Sequence, residues 1–195
     1  MSNWTIVIPV KGTASAKSRL RASPELALAI ALDTVAAARV VPELVEGPTV
    51  VVITSPSIAA DFEALGARIV IDPEQGLTAA IAKGIAAAGD GPVAVLLGDV
   101  PALLPGELEA ALDLATQHPL AFVADADNDG TVLITALRAA DHRPAFGAHS
   151  RDAHLAAGYI ELRIPIDSGL RRDVDTAAQL AALGHRVGPH TRALL

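Results

Sequence analysis

Cysteine is missing from the chain, and with it any disulfide framework or thiolate metal site. Aromatic residues are scarce, at 3% of 195 residues, although hydrophobic residues make up 51%. A core must therefore be assembled from Ala, Val, Leu and Ile, and so high an apolar content excludes a disordered chain. Long apolar runs are lacking too; no stretch reaches the length and purity of a membrane span. The opening "MSNWTIVIPVKG" meets Pro9 and Lys11 too early for the apolar stretch of a secretory signal. A cytoplasmic protein with no membrane partner is the expectation. Basic charge is in deficit, with 15 Lys and Arg against 22 Asp and Glu, a net −7. That balance opposes a nucleic-acid partner, which needs a basic face to displace counterions. It leaves room for a small anionic ligand, whose binding local fields decide.

What is present is an alternation of short β-branched runs and Ala/Leu-rich helical segments. Strands are predicted near Thr5–Val10, Thr49–Thr54, Arg68–Ile71, Val93–Leu97, Leu120–Ala124, Thr131–Thr135 and Tyr159–Ile164. Helices are predicted near Glu25–Val40, Ser57–Leu65, Leu77–Ala88, Gly106–Gln117, Arg151–Ala157 and Thr176–Leu183. Such alternation predicts an α/β fold, a mainly parallel sheet with helices on both faces. Runs such as "TVVVIT" and "PVAVLL" lack polar alternation, as strands buried on both faces do. No repeat, low-complexity tract or linker divides the chain, so residues 1–195 read as one domain. Ligands of such folds bind at the carboxyl ends of the strands. Four loops fall there: Lys11–Arg19, Asp72–Thr78, Gly98–Val100 and Asp167–Thr176.

The first of these, within "PVKGTASAKSRL", carries Lys11, Lys17 and Arg19 and no acid before Glu25. In an acidic protein such a cluster reads as a phosphate-holding loop, although a solvated surface loop has the same composition. It is not a P-loop: Ala16, not glycine, precedes Lys17, and the spacing is one residue short. "DADNDG" matches the first half of a calcium loop, but its twelfth position is Ala136 in place of Glu, so an acidic turn between two strands is the better reading. "LLGDVP" sets Asp99 just after an apolar strand. "SGLRRDVDT" offers Asp173 and Asp175 at alternating positions. If this second loop folds back beside Asp99, two or three carboxylates suit Mg2+, a hard cation that takes oxygen ligands together with a phosphate. The competing reading is a solvated ion-pair cluster in which Asp175 or Thr176 caps the next helix. The six histidines form no zinc pattern and read mostly as surface residues. Ser18, Ser150 and Ser168 lack the G-x-S-x-G elbow of a serine hydrolase.

Taken in order, "IPVKGTASAKSRL", "DPEQGLTAAIAKG", "LLGDVPAL", "DGTVLITA", "FGAHS" and "SGLRRDVDTAAQL" resemble the guanylyltransferases of deazaflavin coenzyme F-420 biosynthesis. These are nucleotidyltransferases of glycosyltransferase-A-like, Rossmann-like architecture that join GMP to phosphoenolpyruvate or 2-phospho-L-lactate. The resemblance covers nearly the whole chain. It implies that Lys11, Gly12, Lys17 and Arg19 face the GTP triphosphate, with Lys17, Arg19 and Asp99 catalytic. It implies that Gly76, Leu77 and Thr78 lie near the nucleoside, and that Asp99 with Asp175 and Asp173 holds Mg2+. Thr131, Gly147 and Ser150 would bind the phosphorylated acid. For Ser150 the chemistry agrees, because a hydroxyl and free amides at a helix start are donors to an anion. Two departures stand out: Thr78 where the family often has Asn, and "AAQL" after "DVDT" where it usually has Pro and an acidic pair. The resemblance favours phosphoenolpyruvate over 2-phospho-L-lactate. Another acceptor such as molybdopterin or a sugar phosphate, a glycosyltransferase, and a GTP-binding module without turnover stay open. A homodimer is compatible with the chain.

Overall fold

The structure is a computed structural model that describes residues 4–10, 23–39 and 48–195. Its strands are β1 (Thr5–Pro9), β2 (Thr49–Thr54), β3 (Arg68–Ile71), β4 (Val93–Leu96), β5 (Leu120–Ala124), β6 (Thr131–Ala136) and β7 (Ile160–Glu161). Its helices are α1 (Pro24–Arg39), α2 (Ala59–Ala64), α3 (Leu77–Ala88), α4 (Pro105–Ala115), α5 (Ser150–Ala156), α6 (Ala177–Leu183) and α7 (Pro189–Arg192). All seven strands join one sheet in the order β3-β2-β1-β4-β6-β5-β7. Every pairing is parallel except the two made by β6, which runs antiparallel to both β4 and β5. The mainly parallel α/β architecture read from the sequence is the one observed.

The period of two along the strands sorts side chains onto two buried faces. Ile6 and Ile8 of β1 join Val35 of α1, Phe62 of α2 and Leu108 and Leu112 of α4 on one side. Val7 points the other way, to Val51 and Ile53 of β2 and Ala80 and Ile81 of α3. Gly84 lets α3 lie close to the sheet, since a Cβ there would come within 2.4 Å of Val7 and 2.6 Å of Ile53. A third, smaller cluster of Ile30, Ala102, Val174, Leu180, Leu183 and Val187 sits under α6.

Two elements differ from expectation. The predicted Tyr159–Ile164 strand shortens to Ile160–Glu161, which pairs only with Ala121 and Phe122 at the sheet edge. Beyond it, Ile164 N–H bonds back to Leu162 O (3.0 Å), so the chain curls away before Pro165 can continue a strand. Helix α7 was not foreseen. Its start depends on a residue 157 positions away: Asp33 of α1, nearly fully buried, accepts from the N–H groups of His190 (3.0 Å) and Thr191 (2.8 Å). No local signal encodes such a cap. Among the described residues no helix is long and apolar enough to cross a membrane.

Candidate active site

The loop after β4 is held from three directions. Gly98 presses on β1, where a Cβ would meet Pro9 O at 3.2 Å. Half-buried Asp99 follows, and the fully buried Val100 donates its N–H to Thr34 Oγ1 of α1 (3.2 Å). The Thr34 hydroxyl in turn donates to Ile30 O (3.0 Å), so its direction is set by the helix. Farther on, Gly188 N–H reaches Pro101 O (2.8 Å).

The second acidic loop does fold back beside Asp99. Val174 N–H donates to Asp99 O at 2.9 Å, so Asp173 and Asp175 flank the residue bonded to Asp99. Val174 itself is fully buried in the small cluster under α6, which contributes about 2 kcal/mol toward keeping this loop in place. Glu107 joins the two loops through one carboxylate: Oε2 accepts Leu104 N–H and Oε1 accepts Gly169 N–H, both at 2.9 Å. Gly169 sits so close that a Cβ would lie 1.9 Å from Ala102 O. Thr176, not Asp175, caps α6: its hydroxyl accepts Gln179 N–H (3.2 Å). Gln179 Oε1 answers by accepting the N–H groups of Asp175 and Thr176, both at 2.9 Å. The "AAQL" departure therefore keeps a capping side chain at the helix start, supplied by Gln179.

Among the described residues no group of three or more His, Asp or Glu side chains is arranged as a ready-made metal cage. The donor set nonetheless fits Mg2+, which usually binds through one or two carboxylates and completes its shell with water and substrate phosphates. Half-buried Asp99 and Asp173 and exposed Asp175, on loops bonded to each other at the carboxyl edge of the sheet, offer hard oxygen donors of that kind.

A second group forms where β6 reverses the chain. The "DADNDG" segment is a turn between β5 and β6, closed by Asp125 accepting from Asp129 N–H (3.1 Å) and Gly130 N–H (2.8 Å). Because β6 is antiparallel, its first residue, Thr131, stands at the same edge as Asp99. Helix α5 is tied to the turn: Arg151 N–H donates to Asp129 O (3.1 Å), and His149 Nδ1 lies 2.7 Å from Asp129 Oδ1. Asp129 raises the His149 pKa through that hydrogen bond. Ser150 and His154, one helical turn apart, are both buried, and His154 Nδ1 lies 3.0 Å from Thr131 Oγ1. Gly147 has φ +146° with open space around it, so its backbone conformation, and not crowding, calls for glycine.

Arg171 fastens the two groups together. It is buried and donates only to oxygens of uncharged groups: Ala124 O (3.0 Å), Asp125 O (2.6 Å), Ile164 O (3.2 Å) and Asn128 Oδ1 (2.6 Å). Its own carbonyl accepts Ala126 N–H at 2.8 Å. Arg171, two residues before Asp173, thus anchors the turn that leads to Thr131.

The structure thus brings Asp99 together with the Asp173–Asp175 loop, and Thr131 together with the helix that Ser150 begins, behind Gly147. Gly76, Leu77 and Thr78 open α3 after β3, on the same sheet edge, with Gly76 at φ +91°. Among the described residues they share no hydrogen bond with either group. Lys11, Gly12, Lys17 and Arg19 lie outside the described residues. Sequence reasoning missed Thr34, Glu107 and His154, and nothing in "SGLRRDVDT" marked Arg171 as a buried anchor. The i, i+4 spacing of Ser150 and His154 was the one available signal, since it sets both on one helix face.

The MobA-like NTP transferase domain model matches residues 13–162. The phosphoenolpyruvate guanylyltransferase of Streptomyces coelicolor is 46% identical over 204 residues, covering 98% of this chain and 95% of the relative. That of Thermomonospora curvata is 45% identical over 202 residues, covering 98% and 88%. Among solved structures, a nucleotidyl transferase from Methanothermobacter thermautotroptrophicus superposes with a TM-score of 0.65 at 19% identity, covering 97% of this chain and 98% of the other. At that identity the likeness concerns the fold alone. With a family model across most of its length and full-length relatives near 45% identity, the chain belongs to the MobA-like NTP transferase family, in the branch that holds these guanylyltransferases.

Proposed function

We propose that this enzyme, one unit over residues 1–195, transfers GMP from GTP to phosphoenolpyruvate, forming enolpyruvyl-diphosphoguanosine and releasing pyrophosphate in the assembly of coenzyme F-420. The observation that carries the reading is the Val174–Asp99 hydrogen bond, which sets the two acidic loops side by side at the sheet edge where this fold binds its ligands. The names of the full-length relatives supply the substrates.

A phosphate oxygen of the acid attacks the α-phosphorus of GTP, and the bond from that phosphorus to the oxygen bridging to the β-phosphate breaks. The attacking phosphate has a second pKa of about 6 and is already largely ionised at neutral pH, so no general base is needed. The work left to the protein is alignment and charge neutralisation. Lys11, Lys17 and Arg19 are assigned to the triphosphate, and Gly12 to its backbone path. Gly76, Leu77 and Thr78 are assigned to the nucleoside. Thr131, Gly147 and Ser150 orient the acid. Asp99 with Asp175, and Asp173 beside them, would hold Mg2+, which when bound supplies charge neutralisation at the reacting phosphates. A reaction between GTP and a glycolytic acid belongs in the cytoplasm.

The test is pyrophosphate release with GTP and Mg2+, comparing phosphoenolpyruvate, 2-phospho-L-lactate and no acid, with the product identified by mass. Release that depends on phosphoenolpyruvate supports the reading. Release with 2-phospho-L-lactate alone reassigns the acceptor, and release with neither acid from folded, GTP-binding protein overturns it.

A further inference from the structure

His154 is unusual among the histidines because its whole ring is buried and both its nitrogens are engaged. Phe146 and Tyr159 pack edge-on against it, with ring centroids 5.1 Å and 5.3 Å away, and Phe122 lies at 6.0 Å. Ala145 donates its backbone N–H to Nε2 at 3.0 Å. An amide can only donate, so Nε2 must present its lone pair and cannot carry a proton. Burial pushes the imidazole pKa down to about 4, which leaves the ring neutral at pH 7 with its one hydrogen on Nδ1. That hydrogen faces Thr131 Oγ1, 3.0 Å away, and is shared with the backbone carbonyl of Ser150, one helical turn back.

The consequence falls on Thr131. Its hydroxyl accepts from His154, so its own hydrogen cannot point to the ring, and among the described residues no other hydrogen-bond acceptor takes it. We infer that His154 is a positioning residue that makes the Thr131 hydroxyl a committed donor toward an anionic oxygen of the acceptor acid, an inference that rests on the assignment of Thr131 to the acceptor site. Carboxylate and phosphate oxygens only accept hydrogen bonds, so a hydroxyl turned this way suits the acid and is mismatched to a ligand group that must donate. The neighbouring histidine shows the opposite arrangement. His142 Nε2 lies 3.0 Å from the carbonyl of Val93, which can only accept, so Nδ1 takes the Tyr159 phenol proton at 3.1 Å. Tyr159 then accepts Arg143 N–H at 2.8 Å, and this chain fixes the ring that packs on His154.

Two measurements test the inference. The first is the tautomer of His154 by long-range proton–nitrogen NMR on the wild-type protein, which needs no substrate and no variant. A proton on Nδ1 is expected; a proton on Nε2 overturns the inference whatever the enzyme's acceptor proves to be. The second is steady-state kinetics of Thr131→Val, His154→Phe, His154→Asn and the Thr131→Val/His154→Phe pair. His154→Phe should raise KM for the acid by about tenfold while KM for GTP stays within about twofold. The double variant should be no worse than Thr131→Val alone, because both changes remove the same directed hydroxyl. His154→Asn, whose amide can donate from near the Nδ1 position, should recover most of the loss. Equal rises in both KM values, or losses that multiply in the double variant, would reduce His154 to core packing. A wild-type enzyme inactive with every phosphorylated acid would instead count against the functional reading and leave the NMR result to stand.

Discussion

On the acidic side of the site, the loops are held through their own backbone N–H groups, leaving the three aspartate side chains out of these bonds: Val174 N–H to Asp99 O, Val100 N–H to Thr34 Oγ1, Leu104 and Gly169 N–H to the Glu107 carboxylate. On the proposed acceptor side, side chains supply the fixing groups: His154 to Thr131, Asp125 to its own turn, Arg171 to three carbonyls and Asn128. The difference separates two kinds of sensitivity. Where the backbone holds the loop, a functional carboxylate can change without loosening the fold. Where side chains hold it, the groups that bind are next to groups that pack, and activity and stability move together.

Asp99→Asn gives the largest expected effect and the sharpest test of this contrast. Turnover should fall by at least about a hundredfold, because a proposed metal ligand is lost at constant volume. The melting temperature should stay within a few degrees, since the Asp99 carbonyl still accepts from Val174. Near-normal pyrophosphate release would sink the metal assignment. Gly169→Ala is the converse, a change that touches no proposed ligand. The added methyl has no room beside Ala102 O, so we expect a stability loss of about 1–3 kcal/mol in chemical denaturation and a parallel fall in kcat. Unchanged kcat would mean that the spacing of the two loops does not matter.

On the acceptor side, pH should reveal the buried ring. The His154 pKa is about 4 folded, against about 6.5 unfolded, so the unfolded chain binds more protons between those values. Its contribution is fully present above pH 6.5 and is lost as pH falls toward 4, about 2 kcal/mol by pH 5. His142, also lowered by burial, adds a slope of the same sign. Denaturation at pH 7.5 and pH 5 should show a smaller drop for His154→Phe than for wild type; equal drops would contradict the ring's burial. The smallest effect is expected from Gln179→Ala, about 1 kcal/mol from a lost cap, with activity nearly intact. A large loss of activity there would show that the cap also sets the direction of Asp175.

The same contrast explains what could be read from the sequence. Strands β1, β2, β4 and β6 announced themselves because unbroken apolar runs rich in β-branched residues need two buried faces. Asp99 and the D-x-D pair could be read as candidates because each lies in a loop predicted at the carboxyl edge of the sheet, where such folds bind ligands. Their adjacency depended on Val174 entering a distant cluster, which no local pattern reports. His154 looked like a surface residue because its burial is decided by Phe122, Phe146 and Tyr159, residues separated in sequence and joined only in the fold. By position Glu107 is an ordinary first-turn acid of α4, and half of its role lies on Gly169, 62 positions later.

The single reversed strand has a consequence for how such enzymes diversify. Residues 119–162 are consecutive and build β5, β6, α5 and β7, and they meet the rest of the sheet along one seam, the β4–β6 pairing. Under the proposed assignment of Thr131, Gly147 and Ser150, the acceptor site falls within one contiguous cassette, while the two acidic loops come from segments on either side of it. Under that assignment a change of acceptor needs substitutions within this cassette alone, with the β4–β6 seam and the Arg171 tether kept.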